Sequence, residues 1–122
     1  MSFGQTYKLR SGFRMPAIGF GTLIKVDDVC DAVYEALISG YRHLDMAKVY
    51  RNQREAGHGI RKALAEIPGL RREDLFITSK LWNNKNHPDE VENALDDTLA
   101  ELGLEYLDVS CELRASSYKL HT

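Results

Sequence analysis

Apolar residues recur at every third or fourth position in three separate segments of the chain, with charged residues between them. This spacing places the apolar side chains on one face of a helix and predicts three amphipathic helices. The predicted buried stripes are Val29, Val33, Ala36, Leu37 and Gly40; Ala56, Ile60, Ala63, Leu64 and Ile67; and Val91, Ala94, Leu95, Thr98, Leu99 and Leu102.

Residues with defined roles at helix ends flank the first and third stripes. Asp27 or Asp28 precedes the first stripe and is expected to cap that helix with its carboxylate. Pro88 precedes the third stripe, at a position where its missing N–H has no intrahelical partner to lose. Gly40 and Gly103 come at the ends of these two segments, and each is expected to give its helix a left-handed exit.

The second helix, predicted for residues 53–67, contains two glycines in its interior. Gly57 and Gly59 each lower helix stability by about 1 kcal/mol relative to alanine. A helix that forms despite this cost should gain from the missing side chains. We therefore expect other elements to pack closely against it at both positions.

Short apolar runs between the helices predict strands. Residues 7–16 are expected to form a hairpin that turns at Ser11-Gly12. Parallel strands are predicted for residues 17–21, 41–44 and 74–80, with a fourth beginning at 106–109. Because strands and helices alternate, the pattern favours right-handed βα units. The predicted fold class is α/β.

Polar residues stand at or just beyond the C-terminal ends of two predicted strands. Asp45 follows the second parallel strand, Tyr50 lies in the next loop, and Lys80 ends the third. These strand ends meet at one edge of a parallel sheet, where α/β proteins bind their ligands. Taken singly, Lys80 would more often be a solvated surface lysine. His43, inside a strand, is expected to be a structural histidine.

Composition narrows the classes of function. The 122 residues carry a formal net charge of −2, and 43% are hydrophobic and 28% charged, as in ordinary globular domains. No basic run or excess supports nucleic-acid binding. No apolar run approaches the roughly 20 residues of a membrane span, and no signal peptide is visible. Cys30 and Cys111 lack metal-site or redox spacing, so we expect reduced thiols in a cytoplasmic protein.

Five segments of the sequence carry a resemblance to a known family. They are Gly19-Phe-Gly-Thr22, Gly40-Tyr-Arg-His-Leu-Asp45, Tyr50-Arg-Asn52, Glu73-Asp-Leu-Phe-Ile-Thr-Ser-Lys-Leu-Trp82 and Leu99-Ala-Glu-Leu-Gly-Leu-Glu-Tyr-Leu-Asp108. In this order they resemble the aldo-keto reductases, over about residues 9–108. Within that family the resemblance is closest to the fungal-type aldehyde reductases and glycerol dehydrogenases.

The resemblance implies a TIM (β/α)₈ barrel, which takes typically about 250 residues. The 122 residues would supply a truncated form: an N-terminal β-hairpin, the first three βα units and a fourth strand, with the strands of the partial barrel in sequential order. Residues 1–109 would be the N-terminal part of the barrel domain. Residues 110–122 lose the family pattern and are expected to form a divergent, poorly ordered tail. The open edge of such a partial barrel could self-associate.

The resemblance also implies oxidoreductase chemistry, in which aldehydes or ketones are reduced to alcohols, or the reverse, with NADPH as hydride donor. Tyr50 would be the acid–base residue. A neighbouring ammonium favours such a role because its positive charge stabilises the phenolate. By resemblance, Lys80 supplies that ammonium and Asp45 pairs with Lys80.

Other positions are assigned to binding by the same resemblance. Gly21, Thr22 and Leu23, together with Asp45, would contact the nicotinamide end of the NADP cofactor. Trp82 would line the pocket of a small carbonyl or alcohol substrate. On its own, Trp82 would more often be a half-buried packing residue. The resemblance implies no metal site, and it implies no nucleic-acid or membrane partner.

One departure from the family pattern bears directly on activity. Leu113 stands where the family has a histidine that orients the substrate carbonyl. Alternatives to a working reductase therefore remain open. The chain could be a non-catalytic truncated product or a partner-associated regulatory fragment, or a complete small α/β domain with a function of its own.

Overall fold

The computed structural model describes residues 4–82 and 88–113. Within them an N-terminal hairpin is followed by alternating strands and helices. The elements are β1 (Thr6–Lys8), β2 (Arg14–Pro16), β3 (Phe20–Gly21), α1 (Val26–Ile38), β4 (His43–Asp45), α2 (Gln53–Glu66), β5 (Phe76–Trp82), α3 (Pro88–Leu102) and β6 (Val109–Leu113), with short 3₁₀ turns at Lys48–Tyr50 and Arg72–Asp74.

The predicted hairpin is present. Strands β1 and β2 pair antiparallel, with Thr6 opposite Pro16 and Lys8 opposite Arg14. Gly12 lies in the turn between them with a φ of 92°, a conformation that is costly for residues with a side chain. The glycine therefore allows the tight reversal that the sequence predicted.

The other four strands form one parallel sheet in the order β3-β4-β5-β6. This order follows the sequence, as predicted, and a helix connects each strand to the next. Gly21 lies opposite Asp45, Asp45 opposite Thr78, and Thr78 opposite Val109. Residues paired in this way point to the same face of the sheet. The arrangement is the one expected of a partial barrel.

A hydrophobic core packs the helices against the opposite face of the sheet. Leu44 and Ile77 supply the sheet side of this core and are fully buried. The buried cluster comprises Val29, Val33, Leu37, Leu44, Met46, Ala56, Ile60, Ala63, Leu75, Ile77 and Leu102. It contains most of the two stripes predicted for α1 and α2, while Leu64 and Ile67 are only partly buried.

The stripe predicted for α3 is covered only at its C-terminal end. Thr98 and Leu102 are fully buried, whereas Val91, Ala94, Leu95 and Leu99 are half-buried. The pattern therefore identified the apolar face of α3 correctly. Within the described residues, much of that face lacks a close cover.

The two glycines inside α2 mark close contacts with both neighbouring helices, as predicted. A Cβ added to Gly57 would lie 2.3 Å from the backbone oxygen of Leu102 in α3. A Cβ on Gly59 would lie 2.5 Å from the backbone oxygen of Cys30 in α1. The helices pack too closely at these positions for any side chain.

Replacing Gly57 with alanine is expected to destabilise the chain by about 1–2 kcal/mol. Overpacking costs roughly 1–3 kcal/mol, and here the obstacle is a backbone carbonyl that no rotamer change can move. The cost exceeds the gain of about 1 kcal/mol in helix propensity. Urea unfolding measures the difference, and Ala65→Gly at an exposed position of α2 calibrates the propensity effect. A Gly57→Ala variant as stable as the parent would contradict this packing.

The prediction for the start of α1 is wrong. The helix begins at Val26, and the cap residue Lys25 makes no side-chain capping hydrogen bond. Asp27 and Asp28 lie in the first turn instead. There the positive end of the helix dipole favours their carboxylates, so the acidic residues mark the helix end without capping it.

The fourth strand of the sheet also differs from its prediction. It begins at Val109, not at Tyr106, and continues to Leu113. Tyr106 lies before the strand with its ring centroid 4.0 Å from the Arg72 guanidinium. Ser110 to Leu113, which were assigned to the divergent tail, thus continue the sheet. Residues 114–122 of that tail lie outside the described part of the chain.

Candidate active site

Asp45 and Lys80 meet at the C-terminal edge of the sheet. Asp45 ends β4, and Lys80 lies in β5 two residues beyond its register partner Thr78, so both point to the same face. The Lys80 ammonium donates hydrogen bonds to Asp45 Oδ1 and, at 3.3 Å, to the backbone oxygen of Met46. The Asp45 side chain is 44% exposed and that of Lys80 24%. The pair is therefore accessible from this edge.

Tyr50 completes a cluster with these two residues. It ends the 3₁₀ turn Lys48–Tyr50 that follows β4. Lys80 Nζ lies 5.5 Å from the centroid of the Tyr50 ring, within the range of a cation–π contact. The structure thus brings together all three residues that the sequence assigned to catalysis, with the ammonium next to both the carboxylate and the phenol.

The electrostatics of the cluster keep Lys80 charged. Burial is the largest single influence on its pKa and favours the neutral amine. The hydrogen bond and negative charge of Asp45, followed by interactions with Tyr50, outweigh burial and raise the pKa of Lys80 above its ordinary value of 10.5. The ammonium is therefore a fixed positive charge at neutral pH.

Two of the residues assigned to cofactor binding lie directly beside Asp45. Gly21 is its register partner in β3, and a Cβ on Gly21 would meet nothing within 4 Å. Thr22 is fully buried, and both its N–H and its hydroxyl donate to the backbone oxygen of Asp45 at 3.1 Å. Leu23 follows and is 75% exposed. The bare backbone at Gly21 leaves space for a flat group against the sheet edge.

His43 has the structural surroundings that the sequence suggested. Its ring lies on the same face of the sheet as Asp45. Nδ1 is 3.3 Å from the backbone oxygen of Pro16, and Nε2 is 3.2 Å from Thr78 Oγ1. Both ring nitrogens therefore have partners, and His43 joins the hairpin to two strands of the sheet.

Two further residues of interest end neighbouring strands. Trp82 is the last residue of β5, and Leu113, the last residue of β6, is its register partner. Leu113, where the resemblance implies a histidine, thus lies on the strand next to the one that bears Lys80. The side chains of both residues lie outside the described part of the structure, so the pocket role of Trp82 stays a prediction.

Asn52 supports the site and was missed by the sequence analysis. Its side-chain amide donates to the backbone oxygens of Thr22 at 2.7 Å and Ile24 at 2.9 Å. The residue is 1% exposed, and its Oδ1 has no hydrogen-bond partner among the described residues. An asparagine directly before α2 suggests a helix cap, but this one makes no side-chain capping bond. It joins the loop bearing Thr22 and Leu23 to the loop bearing Tyr50.

Replacing Asn52 with aspartate is expected to destabilise the chain by about 2–4 kcal/mol at neutral pH. The change removes the donor and places a buried carboxylate against two backbone carbonyls, each of which loses its partner. Urea unfolding measures the effect. Asn93→Asp, at an exposed position of α3, is the matched control and should shift stability by no more than about 0.5 kcal/mol. Equal stability of the two variants would contradict the role given to Asn52.

Comparison with known proteins shows the family to which the chain belongs. The family model described as "Aldo/keto reductase family" matches residues 17–111. A D/L-glyceraldehyde reductase of Hypocrea jecorina is 63% identical over 110 residues, which are 89% of this chain and 33% of the relative. An NAD(P)H-dependent D-xylose reductase of Scheffersomyces stipitis is 49% identical over 104 residues, or 84% of this chain and 32% of the relative.

Solved structures agree with the sequence comparison. An aldo-keto reductase of Bombyx mori, solved in complex with NADP, superposes with a TM-score of 0.83 at 38% identity and covers 90% of this chain and 38% of its own. The aldose reductase of Schistosoma japonicum superposes with a TM-score of 0.82 at 46% identity, over 87% of this chain and 35% of its own.

The chain therefore belongs to the aldo/keto reductase family, and its fold is part of that family's barrel. It spans about a third of the length of the curated relatives it matches. Within residues 4–82 and 88–113, no group of three or more His, Cys, Asp or Glu residues could hold a metal ion. None of the helices described is long and apolar enough to cross a membrane.

Proposed function

We propose that the chain is an NADP(H)-dependent oxidoreductase that reduces aldehydes or ketones to alcohols, or catalyses the reverse reaction. The observation that carries the proposal is the cluster at the sheet edge. Lys80 is hydrogen-bonded to Asp45 and lies 5.5 Å from the Tyr50 ring centroid. An acid, a charge that stabilises its conjugate base and a carboxylate that holds that charge are what proton transfer to a carbonyl oxygen requires.

Each residue has one part in the proposed reaction. The hydride would come from bound NADPH. Tyr50 gives its hydroxyl proton to the carbonyl oxygen as negative charge develops there. The Lys80 ammonium stabilises the phenolate that remains, and Asp45 keeps the ammonium in place. In the reverse direction the phenolate accepts the alcohol proton.

The residues around the cluster fit the nicotinamide end of the cofactor. The open space at Gly21 would admit a flat ring close to the backbone. Thr22 fixes the end of β3 against Asp45, and the exposed Leu23 offers an apolar side chain beside that space. We therefore assign Gly21, Leu23 and Asp45 to direct cofactor contact, and we assign the fully buried Thr22 to holding this edge of the site in place.

A small polar aldehyde is the proposed substrate class. One relative is named for glyceraldehyde and another for xylose, and both compounds are hydroxyaldehydes. Trp82 is proposed to line the substrate pocket. The free thiols of Cys30 and Cys111 are consistent with action in the cytoplasm, which forms part of the same proposal.

The proposal is tested by following NADPH oxidation at 340 nm in the presence of D-glyceraldehyde and the purified chain. We expect turnover that saturates with both compounds. Absence of turnover in a sample that is folded by circular dichroism would contradict the enzymatic role. NADH in place of NADPH tests the cofactor preference in the same assay.

A non-catalytic, partner-associated role is the second candidate. The half-buried stripe of α3 favours it. So does β6, which ends the sheet within residues 4–82 and 88–113, because an uncovered strand edge invites pairing with another chain. A second copy of the chain is the simplest partner. Light scattering after size-exclusion chromatography separates the cases: a dimer would support self-association, and a stable monomer would count against it.

A further inference from the structure

Two polar side chains next to the catalytic cluster are buried and have no part in the proposed chemistry. Gln53, the first residue of α2, is 2% exposed, and Ser79, the neighbour of Lys80 in β5, is fully buried. Burial of such groups is costly unless they are hydrogen-bonded. Both lie on the helix side of the sheet, opposite the catalytic face.

Their hydrogen bonds form a continuous network of four residues. The Ser79 hydroxyl donates to Gln53 Oε1, and Gln53 Nε2 donates to Glu101 Oε2 at 3.1 Å. The other oxygen of Glu101 accepts from the Lys48 ammonium. The serine donor, both ends of the amide and both carboxylate oxygens are thereby used. The single positive and single negative charge of the network balance.

The two ends of this network adjoin the two residues that must cooperate in proton transfer. Lys48 begins the 3₁₀ turn that ends with Tyr50, and Ser79 directly precedes Lys80. Gln53 and Glu101 bridge between them from α2 and α3. The turn with the phenol and the strand with the ammonium are thus fixed to each other by bonds that do not pass through the active site.

We propose that the Lys48–Glu101–Gln53–Ser79 network sets the separation between Tyr50 and Lys80, so that its members are positioning residues for proton transfer. This inference rests on the proposed function for its kinetic consequence. Its structural consequence concerns only the position of the Tyr50 ring relative to Lys80. A change in this position can be detected without measuring turnover.

Exchanging the amide and the carboxylate tests the network most sharply. Gln53→Glu places two carboxylates against each other, and Glu101→Gln directs an amide N–H at an ammonium or another amide N–H. The double variant Gln53→Glu/Glu101→Gln can restore all three hydrogen bonds and keeps the net charge: Ser79 and Lys48 still donate, and only the bond between residues 53 and 101 is reversed. We therefore expect each single variant to lose function and the double variant to recover it.

Two readouts are taken on each variant. The first is steady-state kinetics, where we expect kcat to fall about tenfold or more in the single variants, with the KM for the aldehyde within about twofold, because small misplacement of a reacting group slows chemistry more than binding. The second is the NMR signal of ¹³C-labelled Tyr50, assigned by its absence in Tyr50→Phe. This signal should shift in the single variants and return in the double variant.

Ser79→Ala gives a milder variant in case the charged changes unfold the chain. It removes one hydroxyl. We expect it to shift the Tyr50 signal and to lower kcat, as the single exchange variants do. Ser110→Ala is the matched control, because Ser110 is the register partner of Ser79 in β6 and is exposed. It should leave both readouts unchanged.

The outcomes separate this inference from the proposed function. If the parent chain does not turn over, the proposed function fails, and the Tyr50 signal alone decides the inference. A Tyr50 signal that does not move in Ser79→Ala and in the single exchange variants overturns the inference, as does a double variant that fails to recover. Movement followed by recovery supports it.

Discussion

Replacement of Tyr50 with phenylalanine is expected to lower the kcat for aldehyde reduction by about 10²–10⁴-fold, the usual contribution of a positioned acid. The ring that lies 5.5 Å from Lys80 Nζ is kept, and only the hydroxyl is lost. Packing and cofactor binding should therefore remain, with the dissociation constant for NADPH within about twofold. Stopped-flow measurement of hydride transfer and a separate binding titration check the two parts of this expectation.

A tyrosine far from the site provides the control for this change. Tyr34 lies on α1 with the Lys62 ammonium 4.2 Å from its ring centroid, so Tyr34→Phe also keeps a ring next to a lysine and removes only the hydroxyl. It should leave kcat unchanged. A Tyr50→Phe variant that retains more than about a tenth of the parent kcat would show that another group supplies the proton.

Replacement of Lys80 with methionine is expected to lower kcat by about 10²–10³-fold, the scale on which loss of one preorganised electrostatic contact acts. Methionine keeps much of the length of the side chain and removes the charge. The phenolate of Tyr50 then forms without a neighbouring cation, and Asp45 loses its hydrogen-bond donor. Lys8→Met on the exposed hairpin strand β1 is the control and should have no effect on kcat.

The Lys80→Met variant also tests how the free energy of unfolding depends on pH. Because the pKa of Lys80 is raised above 10.5 in the folded chain, its contribution to stability is fully present below that value and is lost as pH rises through the higher folded value. The difference in unfolding free energy between the parent and Lys80→Met should therefore be constant from about pH 6 to 9 and shrink above about pH 10.5. A difference that disappears near pH 7 would mean that the ion pair contributes nothing.

The sequence pattern predicted burial best for the helices that neighbouring elements cover along their length. The stripes of α1 and α2 are buried much as predicted because these helices pack on each other and on the sheet. The stripe of α3 shows the limit of the method. Periodicity identifies which face of α3 is apolar, but it does not identify what covers that face. Within the described residues, Leu95 and Leu99 are only half-buried.

Helix and strand ends were less predictable, for one local and one long-range reason. Asp27 and Asp28 are stabilised by the dipole wherever they fall in the first turn, so their presence locates the start of α1 only to within a residue or two. Tyrosine is a residue type that favours strands, so the sequence pattern placed Tyr106 at the start of one. Its ring packs against Arg72, a contact between residues 34 positions apart in the chain.

The residues of the candidate site also differ in how far the sequence could predict them. Asp45 and Lys80 could be expected at one edge because parallel strands align their C-terminal ends, and the structure shows them in contact. Asn52, Gln53 and Ser79 could not be found in this way. Their partners are backbone oxygens or side chains from distant parts of the chain, and neither composition nor spacing identifies such partners before the fold is known.

Cofactor binding is the measurement that tests the central claim most directly, because the claim is that this edge of the sheet forms a nicotinamide site. Trp82, the chain's single tryptophan, ends the strand that carries Lys80 and provides the signal. Titration of the purified, folded chain with NADPH is predicted to quench its fluorescence in a saturable manner. Fluorescence that does not change as NADPH is added, in a sample shown to be folded, would contradict the account.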